Sequence, residues 1–297
     1  TRYSISTKGH INMSKEIKEI KEIIKFVEDT HTYTYGDIKY SSMTGVVASM
    51  EEHVDFNQKA EEYVKKHSRE TILKKLSESW KITLKDAKER WGDVEFTKDT
   101  ILKIWKDKSD YAKRVGTGYH KFKEDSLIKE SRDLGKSIYT QREEKGIKYS
   151  FDLSKLESGI YPEMILYDHE HLITGTSDIV IIDGKYIDIE DHKTSEEITT
   201  KGTAYFRPEL GRKTVKMLMT PLSHLEDINY NHYALQLSGY AYMLERYGYT
   251  PRKLQINHVI FENKDLGIVK EVIPYQMPYL KKEVIAMFKH FKNKNKK

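Results

Sequence analysis

The chain contains no cysteine, which excludes disulfides, thiol nucleophiles and cysteine-ligated zinc together. Long apolar runs are missing too. No segment approaches the roughly 18–20 residues that a membrane span requires, and 33% of the residues are charged, with a mean hydropathy of −0.70. No charged-then-apolar segment precedes a small-residue cleavage site, so the chain is expected to stay where it is made, in the cytoplasm. A phosphate-binding loop is also lacking: Leu134-Gly135-Lys136-Ser137 imitates the end of one, but the position that needs the earlier glycine is Glu130. No nucleotide cofactor is expected.

What is present is 297 residues and 35.0 kDa, enough to bury a core in one large domain or two small ones. Net charge is +5 with a pI near 8.8, which suits a polyanionic partner. Twenty-one tyrosines interleaved with Lys and Arg offer either base stacking or amphipathic packing. Residues 1–12 read as a leader or disordered arm, and 13–297 as a single domain. From Met13, the apolar residues Ile17, Ile20, Ile24 and Val27 recur at helical spacing. His31–Tyr40 alternates as a hairpin around Tyr35-Gly36-Asp37-Ile38, and Ser42 and Thr44 behind it can cap a helix or contact a phosphate. The pattern is helical over 46–133, with Trp80, Trp91 and Trp105 among the aliphatic positions. A helix over Tyr230–Tyr247 ends at Gly248; strands over Lys253–Phe261 and Ile268–Pro274 and a helix over Tyr279–Phe291 follow, then a basic tail.

The most informative stretch is Gly175–Thr194, GTSDIVIIDGKYIDIEDHKT. Asp183-Gly184 between two β-rich runs is a strong hairpin signal, and as a two-residue loop it pairs Ile182 with Lys185, Val180 with Ile187 and Asp178 with Ile189. Alternation then sends Asp178, Ile187, Ile189, Asp191 and Lys193 to one face, with Asp178 and Asp191 as diagonal neighbours about 7–8 Å apart. Two carboxylates at that separation can share a hard cation, whose oxygen ligands stand about 2.1 Å away. A solvated ion pair is the competing reading of the same spacing.

Gly175-x-x-Asp178, a strand, then Ile189-x-Asp191-x-Lys193-Thr194 resembles the core of the PD-(D/E)XK nuclease superfamily, in particular its RecB-like exonuclease branch. Three further stretches are similar to motifs of that branch in the same order: the hairpin leading to Ser42-Met43-Thr44, Gly116-Thr117-Gly118-Tyr119-His120, and Gln236-Leu-Ser-Gly-Tyr240. The resemblance implies an α/β fold, a central mixed β-sheet flanked by helices (restriction-endonuclease-like), with an N-terminal helical region over 46–133, a catalytic core over 150–275, and a C-terminal helix and tail over 276–297. It implies a metal-dependent DNA exonuclease of recombination, repair or phage DNA processing, in a phage or bacterial setting or a mitochondrial one. The alternatives are an endonuclease of the same superfamily and a catalytically silent nucleic-acid-binding protein.

Carried onto this sequence, the resemblance gives Mg²⁺ or Mn²⁺ to Asp178, Asp191, His120 and the backbone carbonyl of His192, with Glu163 as a further acidic ligand. Lys193 would orient or deprotonate the attacking water, or stabilise developing charge. His120 would sit in the first turns of a helix entered through Gly116–Gly118 and capped by Thr117. The side chain of His192 receives no role. Gln236 and Tyr240, four apart on one helical face, would contact DNA, joined by Arg207, Arg212, Thr117 and Thr194. Members that staple this domain with an iron–sulfur cluster do so through four cysteines, so no such cluster is expected here. DNA, single-stranded or with a free end, is the implied partner. A homo-oligomer and a recombination partner protein are compatible with the resemblance, and no membrane is involved.

Overall fold

The computed structural model describes residues 23–207 and 211–294. The chain divides into two compact units, one comprising residues up to Glu51, Phe122–Val259 and Glu271 onward, the other Glu52–Lys121 and Ile260–Lys270.

The first unit is α/β, a large mixed sheet flanked by helices. Its elements begin with β1 (Lys25–Val27), β2 (Thr32–Tyr35), β3 (Ile38–Ser42) and the short helix α1 (Met43–Ala48). Ser42 accepts a hydrogen bond from the Gly45 amide and so caps α1, the first of the two roles open to it in the sequence. β1 replaces the end of the helix expected from Met13; the rest of that helix and residues 1–12 lie outside the described residues. A strand forms because Phe26 pairs with Tyr33 and stacks on its ring at 4.4 Å, a cross-strand contact that outweighs local helical spacing. Further along come β4 (Arg142–Glu144), β5 (Ile147–Tyr149), β6 (Gly159–Asp168), β7 (Ile173–Asp183) and β8 (Tyr186–Lys193). A small separate hairpin, β9 (Tyr205–Arg207) with β10 (Arg212–Thr214), precedes the next helix. The second unit's helices intervene in sequence, so in chain order the long helix after β10 is α6 (Asn229–Glu245). It is followed by β11 (Thr250–Asn263), β12 (Ile268–Gln276) and α7 (Lys281–Lys294).

Among the described residues the sheet runs β12-β11-β8-β7-β3-β2-β1-β5-β4, with β6 also on β7. β7 is the hub. β6 lines one edge of it antiparallel from Ile173 to Ile182, with a single gap in the pairing at Asp178. The other edge is shared: β3 pairs parallel with Ile173–Thr174, and β8 pairs antiparallel with Ile179–Asp183. Between them, at Gly175–Asp178, neither strand is paired to that edge, so β3 and β8 part company there. The sheet forks at the GTSD stretch.

Over this fork lies α6, whose Tyr240 approaches β7 so closely that a Cβ on Gly175 would stand 2.8 Å from its hydroxyl. Only glycine tolerates that approach. The core around it joins Val180, Ile182, Ile187 and Ile189 of the hairpin to Leu237, Tyr240, Ala241 and Leu244 of α6.

The second unit is built on α2 (Phe56–Lys66), α3 (Arg69–Trp80), α4 (Leu84–Trp91) and α5 (Lys98–Asp133), the last of which continues into the first unit. Asp55, Ser68 and Thr83 cap the first three, the last through a reciprocal capping box with Asp86. Ile72, Leu73, Leu76, Trp91, Ile101 and Ile104 form its core, with Trp80 and Trp105 packed against them. The helical reading of 46–133 therefore holds, but the helix start placed at Thr117 does not. α5 runs unbroken through Gly116 and Gly118, and its first turn is capped at Thr97, whose hydroxyl accepts from the Thr100 amide at 3.2 Å. Two glycines cost a helix interior about 1 kcal/mol each, which the long helix-forming flanks on both sides absorb.

Candidate metal centre

The fork gathers acidic groups. The hairpin register differs from the expected one: Ile182 pairs with Ile187, Val180 with Ile189 and Asp183 with Tyr186, leaving Gly184-Lys185 as the loop. Gly184 has a φ of 57°, so the glycine takes the first loop position rather than the second, as in a type II′ turn. The displacement is two residues, one full pleat, so every side chain keeps its face. Asp178, Val180, Ile182, Ile187, Ile189 and Asp191 are all buried along it. Carried one step beyond its last pair, the register sets Asp178 directly opposite Asp191 instead of diagonal to it.

At the fork the β8 backbone no longer has β7 as a ladder partner, and Asp178 takes over. Its Oδ2 accepts from the His192 amide at 2.6 Å, and the His192 ring nitrogen Nδ1 stands 3.4 Å away. The side chain of His192, given no role from sequence, thus packs on the Asp178 carboxylate. Asp191 is 1% exposed and pairs at 2.5 Å with the Lys193 ammonium. Burial pulls Lys193 down, but the Asp191 and Asp178 charges and the Asp191 hydrogen bond pull it up and prevail, so the ammonium form is held. The ring of Tyr233, on α6, lies 5.0 Å from that ammonium, a cation–π contact with no signal in the motif.

Glu163 comes from β6, where it faces Asp178 across the ladder. The two carboxylates offer oxygens within 4.8 Å of each other. Carboxylates this close and shielded from water repel one another unless a proton or a cation lies between them. A pair of carboxylates suits a hard divalent ion such as Mg²⁺ or Mn²⁺ better than a soft one.

Gln236 and Tyr240 occupy the expected helix, and Tyr240 lies against Gly175 at the fork, where burial, with the Asp191 and Asp178 charges, pushes its hydroxyl well above its ordinary range. Their polar tips, however, are buried and joined to each other, Gln236 Nε2 donating to the Tyr240 oxygen at 3.2 Å. They floor the site instead of presenting donors to solvent. Arg207 and Arg212 are paired across β9 and β10, and Thr194 follows β8 directly. Thr117 is exposed in the middle of α5, where it cannot cap, and His120 lies one turn further along the same helix.

No family model matches the chain, and no curated protein matches it.

Proposed function

We propose that the protein is a metal-dependent deoxyribonuclease of the RecB-like, PD-(D/E)XK type, acting as an exonuclease. One observation carries this reading: at the sheet fork, Glu163 and Asp178 stand within 4.8 Å, while Asp191 and Lys193 pair at 2.5 Å on the adjoining strand end. An ordinary surface ion pair has no need of two buried carboxylates, Asp178 and Asp191, beside the half-buried Glu163 and Lys193 at a gap in a sheet.

Glu163 and Asp178, joined in this proposal by Asp191 and the main chain at His192, would hold Mg²⁺ or Mn²⁺. When bound, such an ion neutralises phosphate charge and lowers the pKa of coordinated water. The protein's own groups do the rest. Lys193, kept as an ammonium, faces the phosphate and stabilises the charge that develops on its oxygens, a role that fits its raised pKa better than proton abstraction does. Asp191 and the Tyr233 ring fix the direction of that ammonium. Gln236 and Tyr240 shape the wall behind Asp191. DNA contact falls to the basic β9–β10 hairpin and to Thr194, and a net charge of +5 draws the polyanion in.

The test is an assay on end-labelled single- and double-stranded DNA, beside a covalently closed circle, with and without Mg²⁺ or Mn²⁺. Release of labelled nucleotides from linear DNA, only with metal and with the circle intact, is expected. Cutting of the circle would make the enzyme an endonuclease, and metal-independent or absent cleavage would end the nuclease reading.

A further inference from the structure

β6 is interrupted at the point where it supplies Glu163. The β6–β7 ladder pairs Pro162 with Ile179 and Met164 with Ser177 but omits the pair between them, Glu163 with Asp178. Glu163 itself has a φ of 48°, the left-handed region, where a side chain with a Cβ is held only if its surroundings hold it. What holds it is a side chain from outside the strand. Gln141 Nε2 donates to the Glu163 carbonyl, and its Oε1 accepts from the Ile165 amide at 3.3 Å. One amide thus engages a carbonyl and an N–H two residues apart on the same strand, as a neighbouring strand's backbone would.

The segment carrying Gln141 is itself tied to β6. The Tyr139 amide donates to the Ile160 carbonyl at 2.9 Å, the Ile160 amide donates to Ser137 at 3.0 Å, and Ile138 forms a parallel bridge with Ile160. Gln141 is therefore aimed at the interruption from a fixed base.

We infer that Gln141 is a positioning residue that locks the left-handed turn at Glu163 and so directs the Glu163 carboxylate at Asp178; the inference rests on the reading of those two carboxylates as metal ligands. Glutamine is specific to the task. Glutamate at this position keeps the acceptor and loses the donor, asparagine is one methylene short, and methionine of similar length supplies neither.

The experiment is Mn²⁺ titration of the full chain, followed by calorimetry and by the loss of the free-ion paramagnetic signal. It compares the natural sequence, Gln141→Met, Glu163→Gln and the double variant, with thermal melting of each. Gln141→Met is expected to bind Mn²⁺ about tenfold more weakly, in the range typical of residues that orient metal ligands. The double variant should bind no more weakly than Glu163→Gln alone, because Gln141 acts through Glu163. Unchanged affinity in Gln141→Met, or a loss that adds in full to that of Glu163→Gln, overturns the inference. If Gln141→Met fails to fold, Gln141→Glu takes its place with the same expected weakening. A Glu163→Gln variant that binds as tightly as the natural chain overturns the ligand reading instead, as does a natural chain that binds no Mn²⁺.

Discussion

Asp191 and Lys193 are adjacent in the site but separable in role. Asp191→Ala removes a proposed ligand and is expected to abolish both Mn²⁺ binding and cleavage, whereas Lys193→Ala should retain Mn²⁺ binding while cleavage falls by at least about a hundredfold, the scale of a lost charge-stabilising donor. Titration and cleavage measured on the same preparations separate the two. Ser177, next to Asp178, gives a contrasting case. Its hydroxyl is fully buried and has no hydrogen-bond partner among the described residues. Removing it in Ser177→Ala should leave stability unchanged or raise it by up to about 1 kcal/mol, since nothing is lost except the cost of a desolvated hydroxyl. A destabilisation greater than about 1 kcal/mol in urea titration would show that the hydroxyl is in use. At this scale the sequence was most legible where a residue's chemistry is rare in its setting, as with Asp178, Asp191 and Lys193. It was mute about Gln141, whose bond to the Glu163 carbonyl spans 22 residues and follows no periodicity.

Among the elements, the β7–β8 hairpin and α6 were readable because alternation and helical spacing are local properties. The hairpin's register was not. Asp-Gly announces a turn without saying which of its loop positions the glycine fills, and the faces survived only because the difference is a whole pleat. The start of α5 was misplaced because Gly-Thr-Gly is the local signature of a helix boundary, while the flanking helical residues decide the outcome cooperatively. The fork itself is tertiary, set by which strands share an edge of β7. Its integrity depends on the contact between α6 and Gly175. Gly175→Ala would place a methyl 2.8 Å from the Tyr240 hydroxyl, 2.9 Å from its Cε1 and 3.2 Å from the Met43 Cβ. A loss of about 1–3 kcal/mol is expected, as for other overpacked cores, with weakened cleavage as α6 lifts from the fork. Tyr240→Phe in the same chain should recover part of the stability, and no recovery would place the strain elsewhere.

For the whole molecule, the clearest pH-dependent term comes from the β6–β7 turn. His169 is buried beside Tyr35, Tyr40 and Tyr167, with the Tyr40 hydroxyl on its Nδ1. Burial, opposed by Asp168 and reinforced by Arg246, lowers it from 6.5 to about 4. The unfolded chain therefore binds the proton more readily than the folded one between those values, so stability is full above pH 6.5 and declines as pH falls towards 4. Urea midpoints across that window should fall, and His169→Gln should flatten the decline. A natural chain equally stable at both ends would contradict the neutral, buried histidine. No helix among the described residues is long and apolar enough to cross a membrane, and under the proposed function any DNA affinity should weaken with added salt. The central claim is that the charges at the fork serve phosphodiester hydrolysis. The most direct measurement of it is the degradation of end-labelled linear DNA in Mg²⁺ by the natural chain and by Lys193→Ala, side by side. Rapid release of label by the first and almost none by the second is predicted; equal rates from both, or no release from either, would contradict the account.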